Sequence, residues 1–490
     1  MKWRIRVLAV AMATTAPALA SEWTGNESDD WFDPANWTAG VPTTSTNQVR
    51  ISTTNPNSAR IDGAQASTGT LFGVGHNGTG ELTLANGATL VSGSASLGSQ
   101  SAGDGSVTIS GAGSSWQVSG GNFDIGISGT GQVDLLDGGQ LLTSSLRSRI
   151  GQQASGIGEV LVSGAGSVWE LQSEFWLGTA GSGRMTISNG GEVLFSGATS
   201  TLGQAGNASG ELLITGAGSR MSGTRLNVGN GSTSGTTLAS GLLQLFDGGS
   251  LELSGSGPPA NYRLIIASNA RSEGTVVVGA PSGEAPLAPG ALLLAGGISF
   301  NGGQGSLVFN HDGVLEMDFP VVGPINGSAH VQAENGTTLF VDQPFDYSGS
   351  LTIEEIAVFG ARGRLGNVVN EGRLVASPGQ SATLVIDGDY SHGDNAVLEV
   401  QFAPGPVLDR VEVSGEVAFS GGTIDVRVLP GHYGNTPLDG IYPVLTASGG
   451  ISGALPQIEA ASSNAFALFR EDDTLYLEVF DQMMRDRFEE

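Results

Sequence analysis

Residues 158–169 read Gly158-Glu-Val-Leu-Val-Ser-Gly-Ala-Gly-Ser-Val-Trp169, and nearly the same words stand at Gly105-Ser-Val-Thr-Ile-Ser-Gly-Ala-Gly-Ser-Ser-Trp116 and Gly210-Glu-Leu-Leu-Ile-Thr-Gly-Ala-Gly-Ser-Arg-Met221. A second unit lies between them: Gly80-Glu-Leu-Thr-Leu-Ala-Asn-Gly-Ala-Thr-Leu90, Gly131-Gln-Val-Asp-Leu-Leu-Asp-Gly-Gly-Gln-Leu141, Gly183-Arg-Met-Thr-Ile-Ser-Asn-Gly-Gly-Glu-Val193 and Gly241-Leu-Leu-Gln-Leu-Phe-Asp-Gly-Gly-Ser-Leu251. The leading glycines are 25, 26, 27, 25, 27 and 31 residues apart, and the two types alternate. A fixed period of this length is the mark of stacked structural repeats.

Each unit reads as short strands joined by tight turns. In Val107-Thr108-Ile109 the apolar residues fall on one side and the threonine on the other, the period-2 pattern of a half-buried strand. Asn86-Gly87, Asp137-Gly138-Gly139, Asn189-Gly190-Gly191 and Asp247-Gly248-Gly249 supply residues that tolerate positive φ at the turns. Two or three such strands fill ~25 residues, one turn of a β-helix. One turn cannot bury its inner face; stacked turns can, because each strand pairs with its equivalents at ~4.8 Å. The expected fold is therefore all-β: a single-stranded right-handed parallel β-helix, or β-solenoid, with an N-terminal cap. A β-propeller needs blades of ~40–50 residues, which pairs of units would fill, but each unit already repeats alone, which favours the solenoid.

Outward from the repeats, Met1 to Ala20 reads as a secretory signal peptide. Lys2, Arg4 and Arg6 precede the apolar run from Val7 to Ala16, and Ala18-Leu19-Ala20 is a small-x-small cleavage site. The apolar run is shorter than the ~20 residues that span a bilayer. Residues 21–70 carry Trp23, Trp31 and Trp37. They read as a cap over the open end of the solenoid core, with a sugar-stacking platform as the alternative. The Gly-rich repeats occupy 71–255. An irregular β-helix is expected over 256–376, where the strict repeat fades but strand-like runs such as Thr275-Val276-Val277-Val278 and Ser306-Leu307-Val308-Phe309-Asn310 persist. A further β region follows over 377–480, ending in Thr474-Leu475-Tyr476-Leu477-Glu478-Val479, with a charged tail over 481–490.

The chain holds 78 glycines, yet 39% of its residues are hydrophobic and only 14% charged, the reverse of a disordered chain. No G-X-Y period is present, which excludes collagen. The formal net charge is −27, and no lysine follows Lys2. Such an acidic surface repels nucleic acid and anionic lipid. There is no cysteine, so stability must come from burial and backbone pairing even though export would permit disulfides.

A search for chemistry yields no catalytic, cofactor-binding or metal-ligating residue. His76, His311, His330, His392 and His432 lack the spacing of a helical metal pair or zinc motif. There is no Gly-x-Ser-x-Gly elbow, P-loop, or dinucleotide fingerprint in the right context. Asp387-Gly388-Asp389-Tyr390-Ser391-His392-Gly393-Asp394 spaces oxygen ligands as a calcium loop does but lacks the bidentate glutamate, and reads as an acidic turn. Glu354-Glu355 and Glu471-Asp472-Asp473 read as solvated turns, and Asp137 and Asp247 as turn residues. A β-helix enzyme acting on polysaccharide would need carboxylates gathered on one face, and a groove with three or more would favour it.

The Ser-Gly-Ala-Gly-Ser-Ser-Trp and Asn-Gly-Gly units resemble the passenger repeats of bacterial autotransporters. Phe309-Asn310-His311, Ile325-Asn326-Gly327-Ser328, Gly336-Thr337-Thr338-Leu339 and Tyr347-Ser348-Gly349 are similar to the passenger-associated transport repeat of that family. Ser377-Pro378-Gly379-Gln380-Ser381, Gly388-Asp389-Tyr390 and Asp409-Arg410-Val411-Glu412-Val413 resemble the region before its membrane barrel. The resemblance covers nearly the whole chain after the signal peptide. It implies an exported, non-catalytic structural or adhesive passenger, at the cell surface or secreted. The implied partners are a glycan or cell-surface ligand, or other copies of the chain. The alternatives are a polysaccharide lyase or hydrolase on the same scaffold, or a truncated passenger with no activity of its own. The family's C-terminal barrel is lacking, so a separate outer-membrane barrel is a further expected partner, with the periplasm as the location if there is none.

Overall fold

A computed structural model describes residues 20–144, 146–231, 237–254, 262–379, 381–403, 407–429, 440–460 and 466–480. The expected signal peptide, but for Ala20, and the charged tail lie outside the described residues.

The chain winds as a parallel β-helix with three strands per turn. The Gly-led strands form the first face: Thr79–Ala85, Asp104–Ser110, Thr130–Leu136, Ile157–Ser163, Ser182–Ser188, Ser209–Thr215 and Ala239–Phe246. They pair in parallel with each leading glycine opposite the next, Gly80 to Gly105, Gly131, Gly158, Gly183, Gly210 and Gly241. The column runs on through Gly274 and Gly305, where the sequence repeat had faded. The second face stacks four-residue strands such as Thr89–Ser92, Ser115–Val118, Gln140–Thr143 and Val168–Leu171. The third stacks Gln48–Ile51, Leu71–Val74, Ser94–Leu97, Asn122–Ile125, Arg147–Ile150 and Phe175–Leu177.

Glycine leads each rung because the first face meets the preceding corner backbone to backbone. A Cβ on any glycine from Gly80 to Gly274 in this column would lie 2.0–2.4 Å from a backbone atom, well inside contact distance. The two unit types alternate for a related reason. The buried Ser114 Oγ accepts the Gly87 N–H at 3.0 Å, and Ser167 and Ser219 do the same for Gly138 and Gly190. Each Gly-Ala-Gly-Ser turn thus locks onto the Asn-Gly or Asp-Gly turn of the rung before it. There Asn86, Asp137, Asn189 and Asp247 hold φ between 50° and 55°.

Inward residues form one continuous core from Trp23 to Val479. Trp23, Trp31 and Trp37 are buried at its N-terminal end, packed edge to face at 5.1 and 4.7 Å. Their burial removes the sugar-stacking alternative. From Trp31 an aromatic ladder climbs the interior through Phe72, Trp116, Phe123 and Trp169, with centroids 5.3–6.3 Å apart.

The second face ends as a separate stack at Ala291–Leu294. The next strands, Gln304–Met317 and Ser328–Phe340, are 14 and 13 residues long and carry the chain round the corner, with register shifts after Phe309 and Asn310. This is the transport-repeat-like stretch. Asn310 Nδ2 donates to the carbonyls of Pro281 and Glu284 (both 2.9 Å), Asn335 Nδ2 donates to Asn310 Oδ1 (2.7 Å), and the His311 ring meets Thr338 Oγ1 at 3.0 Å. At the C-terminal end the winding gives way to antiparallel pairing. Thr474–Val479 lies between Gly440–Ala447 and Phe466–Glu471, so the last strand belongs to a hairpin rather than a rung.

Candidate functional site

Alternation on the third face points one residue of each pair outward, and stacking puts these in a column: Glu22, Arg50, Gly73, Ser96, Asp124, Arg149, Trp176. The two small members, Gly73 and Ser96, leave a dip, and a cleft of about 650 Å³ opens over them. Gln48, Leu71, Ser94 and Asn122 border it along the neighbouring column, and His76, Gln100 and Gln153 overhang from the corner turns.

The charges at its two ends are internally matched. Arg50 Nη1 lies 3.4 Å from Glu22 Oε1, and the Gln48 amide oxygen, oriented to satisfy its surroundings, accepts from Arg50 Nε (3.3 Å) and Nη2 (2.8 Å). Arg149 grips Asp124 through two bonds of 2.6 and 2.8 Å. Burial and then the Arg50 cation hold the His76 imidazole below its ordinary pKa, with Glu22 opposing. Next to this site, the Arg147 guanidinium sits 3.9 Å over the Trp176 ring.

The other histidines are scattered. Burial lowers the pKa of both His311 and His330; His330 Nδ1 bonds Ser350 Oγ at 2.8 Å. His432 lies outside the described residues. Among the described residues, no three or more of His, Asp and Glu converge in a way that holds a metal ion. In the Asp387–Asp394 segment, Asp387 pairs with Arg364, and Asp389 Oδ1 accepts the Glu416 N–H (2.9 Å), so these carboxylates tie neighbouring rungs together. Asp472, in the Glu471-Asp472-Asp473 turn, holds φ at 49°.

The structure does gather carboxylates that are far apart in the chain. Glu354, Glu355, Glu371 and Asp394 border a second cleft of about 500 Å³, lined otherwise by Gly393, Asn395 and Ser420. Among the described residues, no histidine, arginine or tyrosine lines it to serve as a second kind of acid or base.

His392 is fully buried beneath this region. Its Nδ1 meets the Tyr390 hydroxyl at 2.8 Å, and Asn370 Nδ2 donates to that hydroxyl at 3.2 Å. Burial drives the imidazole pKa down to about 4, the Ala396 backbone partly opposing. The unfolded residue protonates below about 6.5, the folded one only below about 4. Its contribution to stability is therefore full above pH 6.5, is lost as pH falls from 6.5 to 4, and is flat below. The buried Asp409 has the opposite sign in an overlapping window. Burial pushes it up to about 7 against the N–H groups of Gln401 and Ala382, so its contribution is lost as pH rises from about 4 to 7. The variant difference isolates the histidine: relative to His392→Leu, the native chain is expected to lose roughly 3 kcal/mol between pH 6.5 and 4, read by urea unfolding at each pH. Parallel pH curves for the two chains would refute a buried neutral imidazole.

No family model matches the chain. An autotransporter adhesin of Brucella suis biovar 1 (strain 1330), BmaC, is 27% identical over 346 residues, covering 65% of this chain and 10% of that protein. The chain thus spans about a tenth of the length of the curated relative it matches. Among solved structures, the Haemophilus influenzae Hap adhesin aligns over 91% of this chain and 66% of its own at 9% identity, with a TM-score of 0.21. That score is too low to bear on the fold, which the strand register establishes directly. Gly-led rungs, a transport-repeat-like stretch and this sequence match liken the chain to the passenger domains of bacterial autotransporters.

Proposed function

We propose that the chain is an exported adhesive passenger: a rigid β-helix that presents binding faces outside the cell and catalyses nothing. The observation that carries this reading is the third face, where a stack of outward side chains on a fully paired scaffold opens into a polar cleft. The similarity to a protein named as an autotransporter adhesin supports it. Ligands are a glycan or another cell-surface molecule, or a second copy of the chain. Among the described residues no helix is long and apolar enough to cross a membrane. An outer-membrane barrel is the proposed route to the surface.

Cells expressing the chain should lose it to protease added outside, or release it to the medium, and should adhere to host cells or to one another more than cells without it. Protection from the protease, with the chain recovered from the periplasm, would sink the reading. The cleft of Glu354, Glu355, Glu371 and Asp394 favours the second reading, a polysaccharide-acting enzyme. Release of new chain ends from acidic polysaccharides by the native chain, abolished in Glu371→Gln, would replace the adhesive reading with that one.

A further inference from the structure

Gly73 is a glycine that the fold does not require. Its φ is not in the left-handed region, and a Cβ built on it would meet Ser96 Oγ at 3.7 Å and two backbone oxygens at 3.9 and 4.0 Å, ordinary van der Waals contacts for a Cβ. The leading glycines, by contrast, would clash at 2.0–2.4 Å. A strand-interior glycine costs roughly 0.5–1 kcal/mol relative to alanine. It is found where a bulge, another backbone or a ligand approaches the strand. Leu71–Val74 pairs in unbroken register on both sides, which excludes a bulge, and the contact distances exclude another backbone. Gly73 lies on the floor of the 650 Å³ cleft.

The lining says what kind of ligand fits. Gln48, His76, Ser96, Gln100, Asn122 and Gln153 offer amides, hydroxyls and an imidazole, groups that both donate and accept, as sugar hydroxyls do. Leu71, well exposed at the edge, offers an apolar surface to a ring face. Arg50 and Asp124 are already matched by Glu22 and Arg149, so among the described residues the cleft presents no unopposed charge, and a chain of net charge −27 repels anionic glycans. From Arg50 to Asp124 is three rung steps, about 14 Å, the length of a di- or trisaccharide along the solenoid axis.

We propose that the cleft over Gly73 and Ser96 binds a short uncharged oligosaccharide, the bare Cα of Gly73 giving a sugar ring room against the strand. This deepens the adhesive reading and rests on it. The test screens the full chain against an array of uncharged, carboxylated and sulfated oligosaccharides, with Gly73→Leu and Ser96→Leu to fill the floor and Gln140→Leu, on the second face, as control. The native chain and the control should retain an uncharged oligosaccharide that both cleft variants bind at least about tenfold more weakly, with melting temperatures unchanged or, for Gly73→Leu, raised. Failure of the native chain to retain any uncharged oligosaccharide, retention of acidic glycans only, or undiminished binding by both folded cleft variants would overturn the proposal. Host-cell adhesion by bacteria displaying the same chains separates the two readings. Adhesion that Gly73→Leu and Ser96→Leu leave intact refutes the cleft and spares the adhesin. Absence of adhesion by the native chain refutes the adhesin, while the array still judges the cleft.

Discussion

Gly158→Val is expected to break the β-helix at the rung it leads. A Cβ at this position would sit 2.4 Å from the Ile125 carbonyl oxygen, 2.6 Å from the Gly151 nitrogen and 2.6 Å from the Ile150 side chain. The first two belong to backbone that the neighbouring rungs hold in place. Gly151 is itself at φ +71°, and a Cβ there would meet the Ser182 oxygen at 2.1 Å, so the corner has no slack on either side. Relief requires moving a whole strand that pairs with Thr130–Leu136 below and Ser182–Ser188 above. The loss should be about 3 kcal/mol or more, at the upper end of overpacking and strain. In a repeat array such a defect stays with the rung and its nearest neighbours. Hydrogen exchange should therefore show lost protection over roughly those three strands while distant rungs keep theirs. Gly73→Ala is the matched control: also a strand glycine, it should leave stability unchanged or raise it by about 0.5–1 kcal/mol. If Gly158→Ala and Gly73→Ala melted alike, the leading column would not be steric in origin.

Trp116→Ala should cost about 3–5 kcal/mol, the range for removing a buried large aromatic. Trp116 is fully buried, and its indole N–H donates to Ser92 Oγ at 2.9 Å. Its ring meets Phe72 and Phe123 at 5.7 and 5.3 Å, both near 90°. Truncation removes one step of the ladder that begins at the N-terminal tryptophans and leaves the Ser92 hydroxyl, itself buried, facing a void. Trp116→Phe keeps a ring but not the donor and should cost less than half as much. Urea unfolding followed by circular dichroism reads both. Equal losses for the two variants would mean that the hydrogen bond, not the packing, carries the effect.

Gly158 and Trp169 frame one of the repeated words, and the spacing of those words matches the register of the first face residue for residue. Local chemistry decided this much: period-2 burial in Val107-Thr108-Ile109, positive-φ residues at the turns, and glycine wherever backbone meets backbone. The continuation of the column at Gly274 and Gly305 was hidden, because the neighbouring words had changed while the crowding that demands glycine had not: a Cβ would meet the Val228 oxygen at 2.1 Å at Gly274 and the Phe300 ring at 2.4 Å at Gly305.

The tertiary structure alone decided the third face and both clefts. The short strands Leu71–Val74, Ser94–Leu97 and Asn122–Ile125 share no repeated word and follow turns of differing length, so only stacking shows that Arg50, Gly73, Ser96 and Asp124 stand in one column. Glu354, Glu355, Glu371 and Asp394 likewise read as separate turns until the winding gathers them around one cleft. The sequence by itself determined that the chain would coil and stack, since that requires only local pattern. Which surface residues become neighbours depended on the coil, because a β-helix sets residues ~5 Å apart across a rung that are 20 or more positions apart along the chain.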